Sequence, residues 1–515
     1  MSIYGGKIIT RAELVGRLGE FSKRKKKIVL CHGVFDVVHP GHIRHLDFAK
    51  SIADILVVSI TDDIHITKGI YRPHVSAAIR AKSLAHLQMV DYILINEDAT
   101  PISLIQQLKP DFFAKGFEYV SNGLPPATQE ESDSVMSYGG QLVFTPGDLV
   151  YSSSQLIELS PPDLTWERIQ VALDSSHMEW GNLTEILQDF SSLNVTILGD
   201  TIIDSILLTS IYGTSNKTPT LSVLEEARRD YLGGAAIVAL HMKSAGANVK
   251  FITTLGDDAL GKWAKDELEH AGIELIEFNE IGRPTTQKMS IVCAGQRLLK
   301  IDKLDNRPLS SATQGQIEKE LIQTQSDIVV FSDFRHGIFN KNSIGTFVKA
   351  IKNTKFKVAD SQVASRWGNI AEFENFDLIT PNEKEARFAL GDQDSTVHRL
   401  AINLIETTHC KNVLLKLGEK GLLAAKPQEE NPGVVDFFGF GSFATNIEDA
   451  VGSGDALLAY ATLALAAGMP LPMSAILGNI AASVQCSRIG NIPIHSMEMV
   501  KELRDFKQRF EYQVT

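Results

Sequence analysis

Short, continuously apolar runs alternate with amphipathic segments along almost the whole chain, and this alternation constrains the fold most. In the N-terminal part, KIVLCHG, ILVVSITDD, YILIN, FFAKG and LVFTP are separated by stretches of helical spacing such as HIRHLDFAKSIA, SAAIRAKSLAHLQ and SLIQQLK. A strand that is apolar at every position is covered on both faces, which is the condition of a parallel sheet between helices. The pattern restarts at Asn194 with NVTILGD and continues through VKFITTL, KMSIVCA, DIVVFSD, FKVAD, FDLITPN and NVLLKLG. The expected class is α/β throughout. The expected organisation is one module over residues 1–159, a helical linker over 160–193 that begins with Pro-Pro, and a larger module over 194–515. The polar segment 121–138, rich in Pro, Ser and Glu, reads as a mobile loop.

Charge narrows the partners. The 515 residues carry a formal charge of −12, with −1 in residues 1–160 and −11 in the rest. An acidic chain lacks the basic face that nucleic acid requires, so anions must be met by local cations and backbone N–H groups. The basic run at 23–27 reads as the solvated end of a helix leading into the strand at Ile28. Four scattered cysteines form neither a disulfide framework nor a zinc pattern, and the N-terminus has no apolar run of a secretory leader. The apolar stretch 457–467 is shorter than the roughly 20 residues a membrane span needs. A cytoplasmic protein without membrane contact is the expectation.

Two places concentrate phosphate chemistry. The first follows the first strand, where Gly33, Phe35 and Asp36 lead into His39-Pro40-Gly41-His42 at the start of a helix. Gly41 permits close approach, and the helix N-terminus offers unpaired N–H groups and a positive dipole end. Two imidazoles there suit a polyphosphate and the charge that grows on it in a transition state. The string resembles the HxGH signature of cytidylyltransferase-like nucleotidyltransferases. Further pieces stand in family order: Lys68-Gly69, Arg72-Pro73, Arg80, Lys115-Gly116-Phe117-Glu118-Tyr119 and Tyr151-Ser152-Ser153-Ser154. The resemblance, over roughly 27–159, implies in-line attack of a sugar 1-phosphate on a nucleoside triphosphate, with pyrophosphate leaving. It implies His39, His42 and Lys68 in catalysis. It places Gly33, Phe35, Asp36, Gly41, Arg80, Lys115, Ser152, Ser153 and Ser154 around the nucleotide.

The second place is Asp449-Ala450-Val451-Gly452-Ser453-Gly454-Asp455 before an apolar helix. Its glycines allow a turn whose N–H groups converge on an anion, with Asp455 beside it as a base for an attacking alcohol. The pattern resembles the DTxGAGD signature of ribokinase/PfkB sugar kinases, over about 194–495. That resemblance implies substrate contacts from Asp200, Asp204, Gly233, Gly234, Lys288, Arg297 and Asp333. It implies nucleotide contacts from Lys416, Gly418, Gly421, Gly452, Ser453 and Gly454, with Asn382 and Glu385 organising Mg²⁺ indirectly and binding phosphate. The segments around Lys288, 296–302 and Asp333 look most like heptose-phosphate kinases. Ile237 and Ala450 depart from the family's usual Asn and Thr.

Both resemblances together suggest a bifunctional enzyme of nucleotide-sugar synthesis that yields an ADP-heptose-like donor, with transferase and kinase in the reverse of the order usual for such fusions. They imply Mg²⁺, ATP as kinase co-substrate, ATP or CTP as nucleotidyl donor, small sugar phosphates as partners, and a homo-oligomer, by analogy a dimer through a small β-lid. A CDP-sugar or CDP-polyol synthase, or a metabolite-binding regulator with one decayed site, remain the alternatives.

Overall fold

Apolar strands make two separate parallel sheets. The computed structural model describes residues 6–23, 25–66, 72–116, 126–145, 165–214, 221–362, 369–428, 431 and 433–511. The chain divides into two compact units, Met1–Val171 with Asp394–Arg399, and Ala172–Gln393 with Leu400–Thr515.

The first unit is built on β1 (Ile28–Gly33), β2 (Ile55–Thr61), β3 (Tyr92–Asn96), β4 (Phe112–Gly116) and β5 (Gln141–Thr145), in the order β3-β2-β1-β4-β5. Every neighbouring pair is parallel. Val29, Cys31, Leu56 and Val58 are buried with Leu46, Leu84 and Ile93 in one apolar layer, and Leu30, Val57, Leu94 and Phe113 in another. This two-sided burial is what the continuous apolar runs demanded. The order reverses beside β1, so a crevice opens at the carboxyl end of β1. The segment read as a mobile loop is corrected over its described part, because Pro126–Met136 is a helix. Its composition hid it: apolar positions are few, but Val135 is fully buried among the residues under β1 and β4.

The second unit contains β6 (Asn194–Gly199), β7 (Thr201–Thr214), β8 (Leu221–Gly234), β9 (Asn248–Thr254), β10 (Glu274–Phe278), β11 (Thr286–Cys293) and β12 (Gln296–Lys303). It continues with β13 (Ile328–Asp333), β14 (Phe356–Ser361), β15 (Leu378–Ile379), β16 (Val413–Lys416), β17 (Leu422–Pro427) and β18 (Val435–Phe440). Nine strands form a sheet in the order β10-β9-β6-β13-β14-β15-β16-β17-β18. It is parallel except at β16-β17-β18, which pair antiparallel. The order reverses at β6, so a second crevice opens where Gly199 gives way to Asp200. The remaining strands form a separate sheet, β12-β11-β7-β8, which bears the cations of the cavity described below. The long hairpin β7-β8 had no counterpart in the sequence reading, because its outer part (LEEARRD) is charged and exposed.

Two helices, Thr165–Ser176 and Asn182–Asp189, carry the chain between the modules. The latter is no spacer: Leu183, Leu187 and Phe190 are buried in the second unit. Trp180 stacks on Phe506 of the last helix, Ser496–Glu511, with ring centroids 5.5 Å apart, and its Nε1 donates to the Leu503 carbonyl at 3.2 Å. Trp180→Ala should therefore cost about 3–5 kcal/mol of the second unit's stability. Denaturant unfolding followed by the far-ultraviolet signal tests this, and an unchanged midpoint would show that the connector is dispensable.

Candidate active sites

The first crevice is shaped by the turn that follows β1. Phe35 takes a left-handed backbone angle (φ 50°), and its ring lies over Gly33 and 5.1 Å from the His42 ring. His39 then caps the helix Pro40–Ser51, its Nδ1 accepting from the Gly41 N–H at 3.1 Å. A Cβ at Gly41 would stand 2.9 Å from the His39 ring, so only glycine fits. The rings of His39 and His42 stack at 3.9 Å. Their partners fix the tautomers. His39 accepts at Nδ1, which leaves its proton on Nε2; His42 faces the Val37 carbonyl at 3.1 Å and must carry its proton on Nδ1. Burial, then the nearby His39 and His45, push His42 down to about 3, so it is neutral before an anion arrives.

A polar layer surrounds this pair. His32 on β1 lies between Ser59 at 3.0 Å and Thr61 at 3.3 Å, pushed down to about 3 by burial and by Lys115. His45 meets Thr145 Oγ1 at 2.9 Å. Lys115, expected on the nucleotide, is buried at the end of β4 with its ammonium 2.6 Å from Glu131 of the helix Pro126–Met136. Glu131 escaped the sequence reading because it falls in the segment taken for a loop. Asp36, also expected on the nucleotide, accepts from the Val75 N–H at 2.9 Å, while its Oδ2 is buried without a partner among the described residues. Lys68, Ser152, Ser153 and Ser154 lie outside the described residues.

Arg80, expected on the nucleotide, is engaged inside the protein. Its side chain is fully buried, and its donors serve the carbonyls of Val75 (2.8 Å), Val34 (2.5 Å) and Thr61 (2.9 Å) and the Asp63 carboxylate (2.5 Å). Asp63 in turn accepts from the N–H of Ala77, the first residue of the helix Ala77–Ala85. The guanidinium clamps strand ends to a helix start, with four of its five N–H donors engaged within the protein.

The second crevice holds Asp455 in the first turn of the helix Ser453–Ala466, which is capped by Gly452 in a left-handed conformation (φ 79°). Burial, then the Asp360 carboxylate, push Asp455 up to about 8 against the pull of Lys416. Lys416 ends β16 and pairs with Asp360 at 2.8 Å. A Cβ at Gly454 would stand 3.5 Å from its ammonium, so this cation flanks the glycine turn. Ser453 donates its hydroxyl to the Ala450 carbonyl at 2.9 Å. Gly418 and Gly421 bound the short turn between β16 and β17, both with positive φ. Asn382 and Glu385 form a capping box on the helix Glu383–Leu390, and burial pushes the Glu385 carboxyl up to about 7. Among the described residues no three His, Cys, Asp or Glu side chains form a ready-made cation cage.

A cavity of about 350 Å³ opens beside this turn, lined by Asp204, Lys288, Arg297, Lys300, Asp449 and Asn491 among others. Arg297 on β12 pairs with Asp449 at 2.9 Å, joining the smaller sheet to the glycine turn. Burial lowers the pKa of Lys288, opposed by Asp204, and its ammonium lies 5.9 Å from the Phe334 ring centre. Gly233 lies against the Asp204 carboxylate, and Gly234 caps the helix Ala235–Ser244, in which Ile237 is fully buried. Lys300 stands in the heptose-kinase-like segment 296–302, whereas Asn491 was not anticipated.

Asp200 and Asp333, expected as substrate-binding groups, are engaged with the loop after β13. Asp200 is buried and accepts from the N–H groups of Phe334, His336 and Ile338 at 3.2–3.4 Å. Asp333 is buried against Arg335 at 2.7 Å and Ser361 at 2.7 Å. Both hold the loop after β13 rather than facing the cavity.

With both sites in view, the family follows. Residues 192–496 match the pfkB family carbohydrate kinases and residues 30–159 the cytidylyltransferase-like family. The chain belongs to the pfkB family of carbohydrate kinases and carries a cytidylyltransferase-like module before it. It is similar to the bifunctional protein HldE of Desulfatibacillum aliphaticivorans, 27% identical over 324 residues that cover 61% of this chain and 64% of that protein. The HldE of Trichlorobacter lovleyi is 26% identical over 326 residues, with the same coverage, and that of Koribacter versatilis 35% identical over 154 residues, 30% and 31% of the two chains. The chain thus spans just under two thirds of the length of the first two relatives. Phosphofructokinase-2 of Escherichia coli, in complex with substrates and products, shares the fold of the second unit at a TM-score of 0.51 and 18% identity, over 61% of this chain and 98% of that one.

The clamp role of Arg80 is open to measurement. Removing one member of a buried ion pair costs on the order of 3–5 kcal/mol. Arg80→Met should therefore lower the unfolding free energy of the first unit by that much, read as a lower denaturant midpoint at unchanged slope. A variant of unchanged stability with abolished nucleotide binding would instead make Arg80 a ligand group.

Proposed function

We propose that the chain is a bifunctional enzyme of nucleotide-sugar synthesis. The observation that carries this reading is the pairing, on one chain, of a stacked histidine couple at a helix N-terminus with a buried carboxyl beside a glycine turn and a lysine. Each arrangement meets the needs of attack at phosphorus, where positioning and electrostatics supply the rate.

In the kinase, a hydroxyl of a sugar or sugar phosphate attacks the γ-phosphorus of ATP. An O–P bond forms, the bridging P–O bond to ADP breaks, and the hydroxyl proton passes to Asp455. The Gly452–Gly454 turn and Lys416 face the transferring charge. Asp204 holds the sugar, while Lys288, Arg297 and Lys300 give the cavity a cationic wall suited to a phosphate already on the substrate, as in a heptose 7-phosphate. Mg²⁺ belongs to this reading. It takes one or two carboxylates together with waters and phosphates, and the Glu385 carboxyl near the Lys416–Asp360 pair would offer an oxygen of that kind. Glu385, oriented by Asn382, would hold it through water; when bound it neutralises phosphate charge.

In the transferase, a sugar 1-phosphate oxygen attacks the α-phosphorus of ATP, or of CTP, and pyrophosphate leaves. His39 offers its Nε2 proton to the growing charge, and His42 shares it once the field of the approaching anion raises its proton affinity and it takes a proton from solvent. Lys68 and Ser152–Ser154 complete the nucleotide site in this reading, and Lys115 joins it by leaving Glu131. The product would be an ADP-heptose-like donor. A cytoplasmic location fits four buried, unbridged cysteines and the absence, among the described residues, of any helix long and apolar enough to cross a membrane. A homodimer through the smaller sheet fits the exposed Ile211, Tyr212, Leu224 and Leu299 on its strands.

Two variants separate the sites. Asp455→Asn should abolish ADP release with sugar phosphates and spare pyrophosphate release with sugar 1-phosphates; His42→Ala should do the converse. Loss of both activities in either folded variant would break the model of two independent sites. The raised pKa of Asp455 also sets a sign. The carboxyl stays protonated, and useless as a base, below about pH 8, so kcat/KM for ADP release should climb between pH 6 and 9. A flat profile across that window would remove Asp455 from the role of base.

A further inference from the structure

One side chain joins the sugar-side wall of the second crevice to its phosphate-side wall, and no motif marks it. Asn491 lies on the irregular segment after the helix Leu471–Cys486, is 6% exposed and lines the cavity. Its backbone is held from two directions. Gln485 Nε2 donates to the Gly490 carbonyl at 2.8 Å and to the Val451 carbonyl at 3.2 Å, which ties the segment to the glycine turn. The Tyr231 ring fills the space where a Cβ at Gly490 would stand, 2.6 Å away.

The amide is oriented by its own chemistry. Nδ2 donates to Asp204 Oδ2 at 2.8 Å, and only the nitrogen of the amide is able to do so. Oδ1 therefore faces the other way, toward the glycine turn. A Cβ at Gly452 would stand 2.4 Å from Oδ1, and one at Gly233 would stand 3.0 Å from Nδ2. Two glycines, one from each wall, make room for this one side chain. Oδ1 is buried and accepts no hydrogen bond from any described residue. A buried acceptor without a donor is costly and calls for a donor from outside the polypeptide. Between a sugar-holding carboxylate and a phosphate-holding turn, that donor is a hydroxyl. Ile237, buried and apolar, supplies no polar group to share the task.

We propose that Asn491 reads a hydroxyl of the kinase substrate: Oδ1 accepts its hydrogen bond, while Nδ2 fixes Asp204 to receive a neighbouring hydroxyl. This rests on the kinase reading above and adds a specificity residue to it. One N–H of the amide is engaged by Asp204, and at Oδ1 the contact to an incoming group is accepting only. It favours a hydroxyl and rejects a deoxy position.

The test is calorimetric titration of the purified full-length chain with a heptose 7-phosphate and its 2-, 3- and 4-deoxy analogues, alongside ATP. The wild type should bind one analogue about tenfold or more weakly than the parent sugar phosphate. Asn491→Ala should weaken the parent by a similar factor, lose discrimination against that one analogue, and bind ATP as the wild type does. Asn491→Ser, which keeps a small polar group, serves if the alanine variant fails to fold, with the same expected loss of discrimination. Equal weakening of every analogue, weakened ATP binding, no weakening, or a wild type that binds none of these sugar phosphates would each overturn the assignment. ADP release by the wild type is measured separately. Sugar binding without ADP release would sink the kinase reading and keep the role of Asn491, whereas ADP release with unaltered discrimination would sink only the latter.

Discussion

The ammonium of Lys416 is buried among acids, and the second site depends on it. Burial alone would drive its charge off, but Asp360 at 2.8 Å and the nearby Glu385 and Asp455 more than offset this and keep it protonated. The attraction works in both directions. Without the cation, Asp455 and Glu385 would lose the charge that lowers their proton affinity and would hold protons more tightly still. With it, Asp360 is drawn to the end of β16 and accepts from the Thr380 hydroxyl at 2.7 Å, so three strand ends meet at one point. Asp455 keeps a raised proton affinity in the same field, which is the property a base needs.

The first site reaches a comparable result by the opposite route. Its central groups are two stacked imidazoles, and full charges stand behind them in pairs, Arg80 with Asp63 and Lys115 with Glu131. One site keeps its charge in the centre and compensates it; the other keeps a polar, nearly uncharged centre inside compensated walls. The first sits where the strand order of a parallel sheet reverses, the second at the carboxyl ends of β14–β16, and each lies beside a helix start that exposes backbone N–H groups to an anion.

The parallel strands were legible because two-sided burial writes an unbroken apolar run, as in β2, where all seven residues are buried. Of the smaller sheet only β11 was legible, from KMSIVCA; β12 is exposed along its whole length, so its apolar Leu298, Leu299 and Ile301 alternate with no buried face, and Arg297, Lys300 and Lys303 stand among them. The helix Pro126–Met136 was hidden by the same lack of periodicity. The motif residues that a glycine or helix start positions, His39, His42, Gly452 and Asp455, fell where their strings indicated. Buried charges were harder. Arg80, Asp200 and Asp333 stand in motif order, but their hydrogen bonds go to backbone and neighbouring side chains, and only coordinates show where donors are spent. Asn491 had no string at all, because its significance comes from Asp204, 287 residues away in sequence.

The stack of Trp180 on Phe506 has an evolutionary side. It brings the segment that enters the second unit beside the helix that ends it. A module whose two ends lie together accepts an additional domain at either end from nearly the same place on its surface. Gene fusion before or after such a kinase is then a nearly equivalent event, and the order of the two catalytic modules on a chain becomes a record of history more than a demand of architecture.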